Sequence, residues 1–229
     1  MSDPISHLIL SRPVTGPHAD QPVLQMGAPL TNARAAVILV HGRGGSAWDM
    51  LGLATQLTAP DTSFVAPQAE GNTWYPLRFL APLAHNEPWL SSGIDVVQAT
   101  VETLERAGIT RDRIVLLGFS QGGCLAVHFG AAHATRWAGL VGLSAGLIGP
   151  PGEPWQFDGT LDGTPVFLGC SDGDPHIPET RLTESATALR ALGGDVALKI
   201  YAGLGHTVNA DELVHVRQIL EAVASGGST

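Results

Sequence analysis

Lysine is nearly missing from this chain: of 12 basic side chains among 229 residues, only Lys199 is a lysine. Against 21 acidic residues this leaves a formal net charge of −9. A nucleic-acid partner would need clustered Lys and Arg to meet its phosphates, so that function class is excluded. Cysteine is scarce too. Cys124 and Cys170 cannot make a disulfide framework, and each reads as a small buried residue in a reducing, cytoplasmic setting. No run of about 18 apolar residues occurs, so no membrane span is expected. The first residues, Met1–His7, hold no basic segment leading into an apolar core, so no secretory signal is expected either. Internal repeats and domain linkers are also lacking. What is present is 44% hydrophobic and 14% charged, enough for one substantial core. A single domain over 1–229 is expected, with 1–20 as an N-terminal extension and 225–229 as a disordered tail.

Short β-branched runs alternate with helical patterns, the signature of a mostly parallel α/β sheet with helices on both faces. Strands are expected at 35–40, 63–66, 113–118, 138–143, 164–169 and 196–201, with 23–27 as an extra strand at the sheet edge. Several are unbroken apolar runs, as strands covered on both faces should be. Helices are expected at 47–57, 89–107, 121–132, 178–192 and 211–224. In the second of these, Ile94, Val97, Val101 and Leu104 recur at three- and four-residue steps. Two stretches are rich in loop residues: 67–88, which holds Trp74, Tyr75 and Phe79, and 149–163, which holds Trp155 and Phe157. Aromatics set among prolines suggest ordered loops that line a pocket. Trp74, Tyr75 and Phe79 are the expected pocket residues; a homodimer interface is the other use for such aromatics.

The strongest local signal is Gly118-Phe119-Ser120-Gln121-Gly122 between the strand 113–118 and the helix 121–132. This is a nucleophile elbow, in which a serine on a tight strand-to-helix turn exposes its hydroxyl. An activated serine needs a base, and the base needs an orienting acid. In this arrangement the chain order is Ser, then acid, then His, each after a strand. Of nine histidines, His7 and His18 precede the sheet, His128, His133 and His215 fall on helices, and His85 belongs to the aromatic loop. His176 is too close behind the acids. His206, after a strand and Gly203-x-Gly205, is the expected base. Asp172 and Asp174 both suit the acid; Asp174 is favoured because Pro175 and Pro178 give it a rigid mount. Asp172, Asp174 and His176 lack a further ligand at suitable spacing, so no metal or other cofactor is expected. The second match to the pattern, Gly142-Leu143-Ser144-Ala145-Gly146, runs into Gly149-Pro150-Pro151 rather than a helix, so Ser144 reads as a strand-end residue. Main-chain N–H groups of Gln121 and of Arg43, in His41-Gly42-Arg43-Gly44-Gly45, are the expected oxyanion donors, with His41 holding that loop.

Taken together, His41-Gly42-x-Gly44, Gly118–Gly123, Asp174-Pro175-x-Ile177-Pro178 and Tyr201-x-Gly203-x-x-His206 give the chain its likeness. From about 35 to 224 it resembles the phospholipase/carboxylesterase family of α/β-hydrolases, which includes acyl-protein thioesterases. The resemblance implies a sheet of roughly seven strands without a large cap domain. It also implies cofactor-free hydrolysis of carboxylic esters or thioesters. Thioesterases acting on lipidated proteins commonly carry Leu where this chain has Arg43, with Asp shortly after. The segments 72–76 and 86–92 look more like bacterial carboxylesterases of the same family. A serine carboxylesterase for short- to medium-chain small-molecule esters is the favoured reading. Thioesterase or lysophospholipase action with the same residues is the alternative. A ligand-binding module without turnover is the remote one, since such proteins generally lose part of the machinery. The side chain of Arg43 is a candidate contact for a carboxylate on the substrate.

Overall fold

The protein is described by a computed structural model covering residues 5–57 and 59–225. The described strands are β1 (Ser6–His7), β2 (Val23–Gly27), β3 (Ala35–Val40), β4 (Thr62–Pro67), β5 (Ile114–Phe119), β6 (Gly139–Leu143), β7 (Pro165–Ser171) and β8 (Asp195–Tyr201). Five α-helices accompany them: α1 (Ala47–Ala54), α2 (Trp89–Arg106), α3 (Ser120–Ala132), α4 (Glu179–Ala191) and α5 (Ala210–Ala224). One sheet holds the strands in the order β1-β2-β4-β3-β5-β6-β7-β8. The pairs from β4 through β8 are parallel, whereas β1–β2 and β2–β4 are antiparallel. The expected sheet of about seven strands therefore has eight. The added one is β1, two residues long and too short to leave a hydrophobic pattern.

Strand character follows position. In β3, Ala-Ala-Val-Ile-Leu-Val is buried throughout, because helices cover both faces of the central strands. Alternate side chains serve opposite faces. Ile38, Val40 and Leu116 pack with Val97 and Leu104 of α2 and Phe129 of α3. Val37, Leu39 and Leu117 pack with Met50 of α1 and Val216 and Leu220 of α5. At the far edge β8 alternates, with Asp195 and Lys199 exposed, which discourages pairing with a further strand.

Residues 5–20 are more than an extension. Arg12 pairs with Asp95 at 2.7 Å and with Glu102 at 2.6 Å on α2, and His18 is buried between Trp74 and Trp89. Of the expected tail, Ser225 caps α5 and the remainder lies outside the described residues. Among those described, no helix is long and apolar enough to cross a membrane.

Candidate active site

The functional side chains sit where the parallel strands end. Ser120 opens α3 directly after β5 with φ of 52°, a left-handed conformation that side chains seldom adopt. The turn closes because its flanking glycines touch backbone. A Cβ on Gly118 would lie 2.4 Å from the Gly122 carbonyl oxygen, and one on Gly122 would lie 2.2 Å from that of His41. Crowding of this kind holds Ser120 at the tip of the strand–helix crossing.

Asp174 follows β7. Its Oδ1 accepts from the main-chain N–H groups of His176 at 2.8 Å and Ile177 at 3.0 Å, a local turn that Pro178 ends at the start of α4. Its Oδ2 takes His206 Nδ1 at 2.7 Å and the Cys170 thiol at 3.5 Å. Burial pushes this carboxyl up in pKa, but the bonds from His206, His176 and Ile177 outweigh burial and leave it below the ordinary value. It stays ionised.

His206 follows β8, and its Nε2 lies 2.8 Å from Ser120 Oγ. With Nδ1 facing a carboxylate, the proton belongs on Nδ1, and Nε2 is free to accept from the serine hydroxyl. The loops that carry Asp174 and His206 are tied together. Gly203 N–H donates to Asp172 Oδ1 at 2.9 Å, and Gly205 N–H donates to Ser171 Oγ at 3.0 Å. Asp172 thus serves the neighbouring loop.

Gly42 passes directly beside Ser120: a Cβ there would stand 3.3 Å from Ser120 Cβ. Arg43 follows at once, so its main chain borders the same space as the first turn of α3, where Gln121 lies. His41 takes Ala69 N–H on Nε2 at 3.0 Å and so donates from Nδ1 to Gly42 O at 2.8 Å. Burial pushes its pKa down. It is a neutral strut.

The side chains of Arg43 and Gln121 have a second task. The Arg43 guanidinium donates to three carbonyls, Tyr75 at 2.8 Å, Pro76 at 3.0 Å and Leu77 at 2.7 Å. Gln121 Oε1 accepts from Trp74 N–H at 2.9 Å, while its Nε2 donates to Tyr75 O at 2.7 Å. His18 holds the other end, accepting from Glu70 N–H and donating to Trp74 O, each at 3.1 Å. Residues 70–77 are therefore wired to the site from three sides. Nothing in the residue pattern signals His18 or these side-chain-to-backbone bonds.

A cavity of about 740 Å³ opens beside Ser120, with Tyr75, Phe79, Leu80, Phe119 and Ile177 among its apolar walls. Cys124 and His176 also border it; the His176 ring meets His206 edge-on at 4.7 Å. Tyr75 and Phe79 lie where the sequence suggested. Trp74 does not. It is fully buried behind the wall, donating its ring N–H to His41 O at 2.8 Å. The 149–163 loop is also away from the cavity: Trp155 packs under Arg181 and Phe157 against His128. Of the loop aromatics, Trp74, Tyr75 and Phe79 are buried, whereas Trp155 and Phe157 are half-buried.

A model of the phospholipase/carboxylesterase family matches residues 23–224. This chain belongs to that family. The acyl-protein thioesterase 1 of Gibberella zeae is 30% identical over 218 residues, covering 81% of this chain and 89% of that protein. Its Saccharomyces cerevisiae namesake is 27% identical over 83% of this chain and 93% of that protein. The crystal structure of a phospholipase/carboxylesterase from Dyadobacter fermentans superposes with a TM-score of 0.86 at 35% identity, over 91% of this chain and 99% of that one. As a phospholipase/carboxylesterase family member with this fold, the protein is a carboxylic ester hydrolase.

Proposed function

We propose that the protein is a serine carboxylesterase working through Ser120, His206 and Asp174 on small esters with short to medium chains. The observation that carries this is the unbroken relay from Ser120 Oγ to His206 Nε2 at 2.8 Å and from His206 Nδ1 to Asp174 Oδ2 at 2.7 Å. Ser120 attacks the acyl carbonyl as His206 takes its proton, and ionised Asp174 holds and stabilises the imidazolium. The main-chain N–H groups of Arg43 and Gln121 hold the tetrahedral oxyanion, each worth about 10²–10³-fold in turnover. His206 then protonates the leaving alkoxide, and water repeats the sequence on the acyl-enzyme. Tyr75 and Phe79 shape the cavity, and its volume of about 740 Å³ suits a modest acyl group. No step needs a metal or cofactor. The free, buried cysteines Cys124 and Cys170 suit a cytoplasmic enzyme.

A second reading, thioester hydrolysis, draws on the acyl-protein thioesterases at 30% and 27% identity. Both are tested by kcat/KM on p-nitrophenyl acetate, butyrate and octanoate beside the matching thioesters. A maximum at butyrate with esters ahead is expected; a maximum at octanoate with thioesters ahead would replace the first reading by the second.

A further inference from the structure

We infer that the cavity selects esters carrying a carboxylate at the end remote from the scissile bond, with Arg78 as the recognising side chain and Arg43 as a fixed second positive charge. This rests on the esterase reading and names its substrate class. Arg43 and Arg78 both line the cavity beside Ser120, and no Asp or Glu is among its lining residues. In a chain with an excess of acidic residues that is an unusual local sign. Elsewhere Arg12 pairs with Asp95 and Glu102, Arg111 with Glu105 and Arg181 with Glu184, while Arg34, Arg106, Arg113, Arg136, Arg190 and Arg217 make no ion pair among the described residues, so it is the placement at the cavity that sets Arg43 and Arg78 apart. Neither Arg43 nor Arg78 makes an ion pair among the described residues.

The two differ in freedom. Arg43 spends three N–H groups on the carbonyls of residues 75–77, so its charge is held in place. Arg78, one residue past that segment, is exposed and makes only a long 3.4 Å contact to His176 O. It can swing onto a ligand at little cost. Since His176 stacks edge-on with His206 at 4.7 Å, that movable cation stands close to the reacting centre. A planar carboxylate accepts two parallel N–H bonds from a guanidinium, and a cleft lined by one sign of charge concentrates the opposite ion. The apolar residues that share the cavity with Ser120 and the two arginines, Phe79, Leu80 and Ile177 among them, suit the methylene chain of a dicarboxylic half-ester.

The test compares matched pairs. Monomethyl glutarate against methyl valerate places the carboxylate on the acyl side; the butyrate ester of 3-hydroxypropanoate against propyl butyrate places it on the alcohol side. In the native enzyme kcat/KM should favour the anionic member of one pair by about two- to fivefold, a rim-exposed charge contact being of that order, and salt should erode the preference. Arg78→Ala should remove that preference through KM, Arg78→Lys should keep most of it, and Arg78→Glu should reverse it. Equal ratios for both pairs in the native enzyme and all three variants, with methyl valerate still turned over, would overturn this inference alone. Absence of turnover for every ester would remove it together with the esterase reading.

Discussion

Gly118–Gly122 and Gly142–Gly146 spell the same five-residue pattern, and both serines adopt left-handed backbone, φ 52° at Ser120 and 47° at Ser144. Beyond that the two regions diverge. Ser120 leads into a thirteen-residue helix, borders the cavity and meets His206. Ser144 follows β6, is wholly buried, and its hydroxyl has no hydrogen-bond partner among the described residues. The flanking glycines differ as well. Those of the first copy face main-chain atoms, whereas a Cβ on Gly146 would meet side chains, Ser185 Oγ at 3.0 Å and Arg181 Cγ at 3.1 Å. A motif acquires chemistry from what later segments bring to it, and strain at the serine is not sufficient.

The largest expected contrast is between the two serines. Ser120→Ala should lower kcat by about 10⁴–10⁶-fold and abolish fluorophosphonate labelling, while Ser144→Ala leaves both intact. Labelling that followed Ser144 would reverse the assignment. Next comes the acid. Asp174→Asn should cost about 10⁴-fold in kcat, because an amide stabilises the wrong tautomer of His206. Retention of more than a tenth of the native rate would move the acid elsewhere, with Asp172 nearest.

Glycine substitutions sharpen the comparison through stability. Gly122→Ala forces a Cβ to 2.2 Å from His41 O and 2.3 Å from Val40 O, contacts that only a backbone shift can relieve. Loss of folded yield, or a Tm drop of roughly 10 °C or more, is expected. Gly146→Ala can be absorbed by small movements of Ser185 and Arg181, and about 2–6 °C is expected from thermal melts. Equal drops for the two would show that the motifs are packed alike.

The smallest effect concerns the ground beneath the second motif. Ser144 N–H donates to Gly169 O at 2.7 Å, and against Gly169 lies Glu212, whose Oε1 is buried without a partner. Burial pushes the Glu212 carboxyl up from 4.5 to about 7, with Asp211 adding to the rise. Across that interval the folded chain keeps a proton that the unfolded chain has released, so stability falls as pH rises toward and through 7. The native Tm should decline between about pH 5 and pH 8 by a few degrees, and Glu212→Gln, which can keep the helix cap to Asn209, should flatten the decline. An unchanged slope in the variant would assign the dependence to another group.

Local chemistry made much of this legible. The apolar runs of β3 and β5, the elbow, and the post-strand positions of Asp174 and His206 each carry their own pattern in a few residues. What stayed hidden acts across distance. The bonds of Gln121 to residues 74 and 75 and of His18 to residues 70 and 74 join segments about fifty residues apart, and carbonyl acceptors look alike in any sequence. Trp74 illustrates the same limit. A loop has no fixed alternation of faces, so its neighbour Tyr75 could reach the cavity while Trp74 turned inward. The Arg43 guanidinium is likewise engaged by the carbonyls of residues 75–77, which no motif announces.

That Arg43 and Gln121 reach into the 73–77 segment carries an evolutionary consequence. Both residues proposed to hold the oxyanion are tied by their side chains to one wall of the cavity, so on the proposed mechanism remodelling that wall would be felt as lost rate. A lineage exploring new esters has freer terrain at Leu80 and Ala81, which border the cavity without touching either clamp. Laboratory selections for altered chain length should accumulate changes there first.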